Sequence, residues 1–318
     1  MTFTRREVAK LAVGAVPGVA LLQGARPDSK VRGVQIGMNT PYNFGNNNMS
    51  ADETLARCLT LGISAVELRS QPVEGYMGVR PELVTAAAVP GGRNAASRTP
   101  EQIAAQKAAA GDLLTWRLSA PMSAAQALRR RYADAGVAID IVKFDAMYAR
   151  SDAELDYCFT LAKSLGARAI SCEIDVAGAK RVGQFADKHR LMVGYHGHAE
   201  TGPDAWKEVF AYATHNGANL DIGHFVAGGH GSPIPFLKEH HARITHVHVK
   251  DRKLNNGPNV PFGEGDTPIV EVLHLIRDNK WNMQATIEFE YPVPEGSDRM
   301  AEIAKCVDYC RKALSSAS

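Results

Sequence analysis

The stretch Ile244-Thr245-His246-Val247-His248-Val249-Lys250 combines a β-strand pattern with polar side chains that fall on one face. Alternate residues of a strand point to the same side, so His246, His248 and Lys250 share a face. β-Branched residues fill the positions between them, as is typical of strands. The stretch therefore predicts a buried strand that ends in a polar site.

This strand is one of eight β-rich runs that alternate with amphipathic helical stretches along the chain. The runs are residues 34–38, 65–69, 138–143, 169–173, 192–196, 218–222, 244–250 and 285–289. Such alternation predicts a parallel sheet. Eight strand–helix units favour a closed (β/α)8 TIM barrel over an open doubly wound sheet. No Gly-x-Gly-x-x-Gly loop follows the first run, which argues further against a dinucleotide fold.

Helices are predicted between these strands, with start and stop signals of the usual kind. The main ones are residues 52–61, 152–165, 203–215 and 298–314, the first three ending just before Gly62, Gly166 and Gly217. Residues 31–318 are accordingly expected to form one barrel domain. The segment 70–137 is longer than a typical crossover. It is interpreted either as a surface elaboration or as a lid or oligomer contact, and both interpretations stay open.

The first thirty residues carry the features of an export signal. Thr4-Arg5-Arg6-Glu7-Val8-Ala9-Lys10 resembles the twin-arginine motif, and residues 11–22 form an apolar run. A bilayer span needs about 20 apolar residues, so this run is too short to cross one. We expect residues 1–30 to be a signal peptide and the protein to be periplasmic or otherwise extracytoplasmic, which cell fractionation would test. A frayed helix is the alternative, and an uncleaved signal is the only membrane attachment expected.

Composition narrows the class of partner. The 318 residues carry a formal net charge of +2 and show no basic stripe, so nucleic acid is not an expected partner. The five cysteines are odd in number and form no Cys-x-x-Cys pair, so neither a disulfide framework nor a zinc ribbon is predicted. The sequence leaves open whether the protein is a homo-oligomer.

Charged and imidazole side chains lie at the ends of five consecutive predicted strands. They are Glu173, His196 with His198, Asp221 with His224, His248 with Lys250, and Glu288 with Glu290. The chemistry of such barrels lies at the carboxyl ends of the strands. Each residue alone has an ordinary structural reading, such as a hydrogen-bonded histidine or a salt-bridged lysine. Together they would be costly in one apolar mouth unless a divalent cation compensates them. Mixed ligands of this kind suit manganese, cobalt, zinc or iron better than calcium.

These strand ends resemble the xylose isomerase-like barrels of the sugar phosphate isomerase and epimerase family, whose relatives include tagatose epimerase and the inosose isomerases and dehydratases. The most specific pieces are residues 220–224, 246–251 and 287–290. The resemblance implies that Asp221, His248 and Glu288 bind the metal. The fifth strand departs from the epimerase pattern, because Tyr195-His196-Gly197-His198 replaces a metal-binding glutamate. In dehydratase-like members a glutamate of the fourth strand can take its place, which implies Glu173 as the fourth ligand, with His196 in reserve.

The resemblance implies a divalent-metal-dependent isomerase or epimerase that removes a proton next to a carbonyl of a sugar or keto-sugar. Glu288, Glu173 and His198 are the candidate catalytic residues. His196, His224 and Lys250 are the candidate substrate-binding residues. The expected partner is thus a small carbohydrate.

Three other functions remain as alternatives. Loss of a β-substituent after proton removal would make the protein a metal-dependent lyase or dehydratase, for example on a 3-keto-glycoside. An endonuclease IV-like phosphodiesterase is a second, although near-neutral charge argues against a DNA groove. A non-catalytic sugar-binding barrel is the third, because a fold does not prove catalysis.

Overall fold

The computed structural model describes residues 26–87 and 99–317, and the centre of this part of the chain is a closed barrel of parallel strands. The barrel strands are β1 (Val34–Thr40), β2 (Ala65–Arg69), β3 (Ala138–Lys143), β4 (Ala169–Glu173), β5 (Met192–His196), β6 (Asn216–Asp221), β7 (Ile244–Val249) and β8 (Gln284–Ile287). Each pairs in parallel with the next, and β8 pairs with β1 to close the ring. The predicted (β/α)8 TIM barrel is therefore confirmed.

Helices surround the barrel. They are α1 (Ala51–Thr60), α2 (Ser70–Tyr76), α3 (Pro81–Ala87), α4 (Pro100–Ser119), α5 (Met122–Asp134), α6 (Asp152–Leu165), α7 (Val176–His189), α8 (Pro203–Tyr212), α9 (Ile222–Ala227), α10 (Ile234–His240), α11 (Ile269–Asp278) and α12 (Arg299–Ser315). Among the described residues, no helix is both long and apolar enough to cross a membrane.

Local sequence signals explain where several helices begin and end. The Ser50 hydroxyl accepts a hydrogen bond from the Glu53 amide and starts α1. Ser151 and Glu154 form a capping box at the start of α6, and Gly166 ends that helix in the left-handed conformation with φ +77°. Helix α8 ends at Tyr212, three residues before the predicted end, and Ala213 adopts extended backbone there.

The core has two layers, one inside the barrel and one between the strands and the helices. Apolar residues such as Ile36, Val193 and Phe159 are fully buried. Trp206 of α8 is also buried, and its indole nitrogen donates to the Tyr195 carbonyl at 3.1 Å, so its polar atom is satisfied. The five cysteines, all within the described ranges, are buried and free, as expected of small apolar residues.

The long segment between β2 and β3 is helical where it is described. Helix α5 packs on α6 and leads directly into β3, so it takes the place of the second barrel helix. Helices α3 and α4 pack on each other, and α4 also touches α6. Residues 88–98 and 1–25 lie outside the described residues, and with the latter lies nearly all of the predicted signal peptide.

Candidate functional site

The carboxyl ends of the strands form the mouth of the barrel, and the polar residues singled out in the sequence lie there. Glu173 ends β4, His196 ends β5, Asp221 ends β6, and His248 is the fifth residue of β7. The others follow directly after their strands: His198 after β5, His224 in α9, Lys250 after β7, and Glu288 and Glu290 after β8. The topology therefore brings the predicted site residues to one end of the barrel.

Four side chains from consecutive strand ends form a buried cluster at the mouth. His196, Asp221, His248 and Glu288 are each at most 4% exposed. One nitrogen or oxygen atom of each lies within 4.8 Å of the others. Strand register explains part of this, because Asp221 and His248 are partners across β6 and β7. We name these residues the four-residue cluster.

In all four residues one side-chain atom is buried without a hydrogen bond among the described residues, although the two carboxylate oxygens also lie within ion-pair distance of Lys250. The four atoms are Nδ1 of His196, Oδ2 of Asp221, Nδ1 of His248 and Oε2 of Glu288. The His196 Nδ1 atom has neither a hydrogen bond nor an ion pair among the described residues, and a buried polar atom left unpaired costs roughly 1–3 kcal/mol. Two imidazole nitrogens and two carboxylate oxygens are donors that manganese, cobalt, zinc and iron accept. The residues present thus fit a divalent metal ion.

The electrostatics of the cluster also favour a cation. Burial alone would lower the pKa of His248, but the carboxylates of Glu288 and Glu67 outweigh it and raise that pKa to about 10. Burial raises the pKa of the Asp221 carboxyl. Burial and the nearby Lys143 ammonium hold the pKa of His196 well below its usual value, which keeps this imidazole neutral. A neutral imidazole is the form that binds metals.

Lys250 lies against the cluster as a buried counter-ion. Its Nζ atom is 3.0 Å from Asp221 Oδ2 and 2.6 Å from both Glu288 Oε2 and Glu290 Oε2. Burial acts to lower the pKa of Lys250, but these three carboxylates outweigh it and raise that pKa. The sequence suggested either substrate binding or a salt bridge for Lys250, and the contacts of its ammonium are those of a salt bridge.

Glu67 of β2 is a buried residue of the site that sequence reasoning missed. Its Oε2 atom lies 2.6 Å from His248 Nε2, although 181 positions separate the two residues. The contact places the proton of His248 on Nε2, so that Nδ1 faces the cluster. His246 lies one layer deeper, with its Nε2 3.5 Å from the same Glu67 oxygen. A carboxylate between the apolar residues Val66 and Leu68 of the predicted strand was the signal that could have revealed Glu67.

We expect Glu67→Gln to weaken metal binding by about 10- to 100-fold, the usual effect of changing the carboxylate behind a ligating histidine. The amide keeps the shape but loses the charge that orients His248. Titration calorimetry with Mn²⁺ measures the dissociation constant. Glu74→Gln is the matched control, because Glu74 is another buried carboxylate. It lies away from the cluster and forms an ion pair with Arg117 at 2.8 Å. Equal affinity of Glu67→Gln and the native chain would contradict this role.

Glu173 is not a member of the four-residue cluster; its carboxylate faces Lys143 and His198 instead. Lys143 Nζ donates to Oε1 at 2.7 Å, and His198 Nε2 lies 2.8 Å from Oε2. Burial would raise the pKa of Glu173, but His198, His196 and Lys143 hold it well below its usual range. The hydrogen bond that His198 donates to the Glu173 carboxylate in turn raises the pKa of His198. Both side chains are about half exposed, at 47% and 50%.

His198 and His224 form a rim of imidazoles above the cluster. The ring centroid of His198 lies 5.0 Å from that of His196 and 4.8 Å from that of His224. Burial and Lys250 lower the pKa of His224 to about 3, so this ring is neutral. Its Nδ1 lies 2.7 Å from an Arg252 Nη1 atom, a partner that the sequence did not suggest. The neutral His224 ring thus accepts from the Arg252 guanidinium beside the cluster.

The chain is similar to one family model, described as xylose isomerase-like TIM barrel, over residues 125–312. An inosose dehydratase of Clostridium botulinum is 34% identical over 79 residues, which are 23% of this chain and 26% of that relative. The aligned stretch thus spans about a quarter of the relative's length.

Two solved structures are similar in fold. A probable 3-DHS dehydratase from Bacillus anthracis has a TM-score of 0.57 at 14% identity, covering 87% of this chain and 99% of that one. A D-psicose 3-epimerase has a TM-score of 0.57 at 12% identity, covering 89% of this chain and 100% of that one. At such low identity these likenesses show the fold alone.

Proposed function

Because the chain belongs to the xylose isomerase-like TIM barrel family, we propose that it is a divalent-metal-dependent enzyme acting on a sugar or keto-sugar. The reaction begins with removal of a proton from a carbon next to a carbonyl. We further propose that elimination of a β-substituent follows, so that the overall reaction is that of a lyase or dehydratase.

The observation that carries this proposal is the position of the Glu173–His198 pair beside the four-residue cluster. The pair is joined by a 2.8 Å hydrogen bond, and the His198 ring contacts the His196 ring edge-on. A site for a Lewis acid and a site for a proton acceptor thus lie next to each other. Proton abstraction next to a carbonyl needs both, because the negative charge moves to the carbonyl oxygen as the proton leaves.

The cluster would hold the ion through His196, Asp221, His248 and Glu288, with Glu173 left to orient His198. A divalent ion bound there supplies Lewis-acid stabilisation of the charge that develops on the carbonyl oxygen. With His198 Nε2 engaged by Glu173, the Nδ1 atom is the ring nitrogen that accepts the proton. Lys143 holds the Glu173 carboxylate from its other oxygen, at 2.7 Å, and so fixes the pair.

Elimination is supported by the chemistry of β5. This strand offers the His196 imidazole to the cluster where the epimerase pattern has a carboxylate that also acts as a base. The Glu173–His198 pair then acts as a base on one face of the substrate. One base is sufficient for elimination, in which the substrate loses a proton and a neighbouring substituent. The partial relative named an inosose dehydratase agrees with this preference.

Isomerisation or epimerisation is the second candidate, and one contact favours it. The Tyr42 hydroxyl donates to Glu290 Oε1 at 2.6 Å beside β1 and β8, across the mouth from β4 and β5. A second proton carrier there would allow a proton to return to the opposite face of the same carbon. Epimerisation requires such a return, whereas elimination does not.

Proton exchange tests the proposal and separates its two forms. The Mn²⁺-loaded protein is incubated in D2O with an inosose and with 3-keto-glycosides, and NMR follows the proton next to the carbonyl. We expect that proton to exchange with deuterium, and we expect an unsaturated ketone that absorbs ultraviolet light to form. Exchange with an epimer or isomer as product would favour the second candidate instead. With metal bound, no exchange on any of these compounds would overturn the proposal, and so favour a non-catalytic barrel.

A further inference from the structure

A separate pocket of about 410 Å³ opens on the β1 and β8 side of the mouth. Its lining consists of Tyr42, Gly45, Asn259, Phe289, Glu290 and Arg299. Pockets of several hundred cubic ångströms are of the size that binds small molecules. We name it the side pocket.

The side pocket adjoins the four-residue cluster through Lys250. The ammonium lies 2.6 Å from Glu288 Oε2 in the cluster and 2.6 Å from Glu290 Oε2 in the pocket wall. Glu288 and Glu290 also offer carboxylate oxygens within 4.8 Å of each other. A substrate that lay over the Lys250–Glu290 ion pair would span the cluster and the side pocket.

The pocket wall offers both hydrogen-bond donors and acceptors. The Oδ1 atom of Asn259 is buried and has no hydrogen-bond partner among the described residues, while its Nδ2 donates to Glu290 Oε2 at 3.3 Å. The Tyr42 hydroxyl supplies a further polar atom, bonded to Glu290 Oε1. An amide side chain in a pocket wall can both donate hydrogen bonds to ligand hydroxyls and accept them.

Arg299 lines the side pocket and packs against the Phe289 ring. Its guanidinium lies over the Phe289 ring at 4.9 Å from the centroid, and its Nη1 donates to the Asn43 carbonyl at 3.0 Å. Gly45, at φ +76°, leaves room for it, because a Cβ there would come within 3.2 Å of the Arg299 Nε. One guanidinium and one carboxylate balance in charge, which suits a neutral hydroxylated ring better than a phosphate.

We propose that the side pocket is the subsite for a second ring of the substrate, so that the substrate is a keto-glycoside of disaccharide size. This inference rests on the proposed function. The keto ring lies at the cluster and the other ring, which leaves, occupies the side pocket. His198 takes the proton next to the carbonyl, a C=C bond forms, and the C–O bond to the second ring breaks. The electron pair stays on the leaving oxygen, which takes a proton from water.

A comparison of the affinities for a monosaccharide and for disaccharides tests the subsite. The Mn²⁺-loaded full chain is titrated calorimetrically with glucose and with trehalose, cellobiose and maltose, none of which carries the ring ketone that the proposed elimination needs. We expect at least one disaccharide to bind about 10-fold or more tightly than glucose, equivalent to about 1.4 kcal/mol. Arg299→Ala and Asn259→Ala, made separately in case one fails to fold, should each reduce this preference, with Mn²⁺ affinity unchanged.

Arg311→Ala is the matched control, because Arg311 lies on the same helix and bonds the Asp28 and Gly62 carbonyls instead. It should keep the full preference for the disaccharide. Equal affinity for one and two rings overturns the subsite, as does a preference that survives both pocket variants. Proton exchange on keto-sugars with no ring preference would remove the subsite alone. A pocket-dependent ring preference without any exchange would leave the subsite standing and remove the proposed function.

Discussion

We expect Asp221→Asn to abolish the binding of a divalent ion and, with it, the proposed activity. Asp221 is 1% exposed, and its Oδ2 atom belongs to the four-residue cluster and lies 3.0 Å from the Lys250 ammonium. The asparagine amide would place a donor where the cluster needs an anionic oxygen. We expect metal affinity to fall by more than about 100-fold, since changes behind a ligand alone cost 10- to 100-fold.

The substitution is chosen to leave the local backbone intact. The other Asp221 oxygen, Oδ1, accepts from the His224 amide at 2.7 Å and begins α9, a role that asparagine fills equally well. Asp298→Asn is the matched control, because Asp298 caps α12 in the same way, with Oδ1 2.9 Å from the Ala301 amide. Elemental analysis after dialysis and calorimetric titration give metal content and affinity. Full metal content in Asp221→Asn would show that the ion binds elsewhere.

His198→Asn separates proton transfer from metal binding. His198 is half-exposed, lies outside the four-residue cluster, and engages Glu173 through Nε2 at 2.8 Å. We expect the variant to retain metal and thermal stability. Its kcat should fall by about 10²- to 10⁴-fold, the usual contribution of a positioned acid or base. Steady-state kinetics on a keto-sugar that exchanges its proton, together with metal analysis, give both readouts.

His215→Asn is the control for this prediction. His215 Nδ1 and Asp187 Oδ1 form a pair at 2.7 Å that resembles the His198–Glu173 pair, but they lie where β6 begins, at the other end of the barrel. We expect His215→Asn to have the same kcat as the native chain. Metal loss in His198→Asn would make His198 a ligand. Native activity with metal retained would leave Glu288 or Glu173 to carry the proton transfer.

The fold could be predicted because its signals are local. Eight β-rich runs alternate with helices, and the ends of α1 and α6 follow from Ser50, Ser151 and Gly166. The position of the site followed too, since parallel strands in a barrel place their carboxyl ends together. Asp221, His248 and Glu288 were selected as ligands from their strand ends and from family resemblance, and the structure brings them together. Their binding of a metal remains a prediction.

The choice of the fourth neighbour depended on tertiary structure. The sequence offered Glu173 as the fourth ligand with His196 in reserve, and the two residues are register partners across β4 and β5. Side-chain direction separates them: Lys143 and His198 engage the Glu173 carboxylate, whereas His196 points into the cluster. Lys143 ends β3, outside the five strand ends at which the sequence predicted the site.

The sequence by itself determined the strand and helix pattern, the end of the barrel that carries the site, and the types of side chain there. Only the tertiary structure decided which of these side chains meet. Glu67 reaches His248 from β2 to β7, and Lys250 lies among three carboxylates. The physical reason is that strand periodicity sets the face of each residue. Closure and stagger of the barrel set its height relative to distant strands.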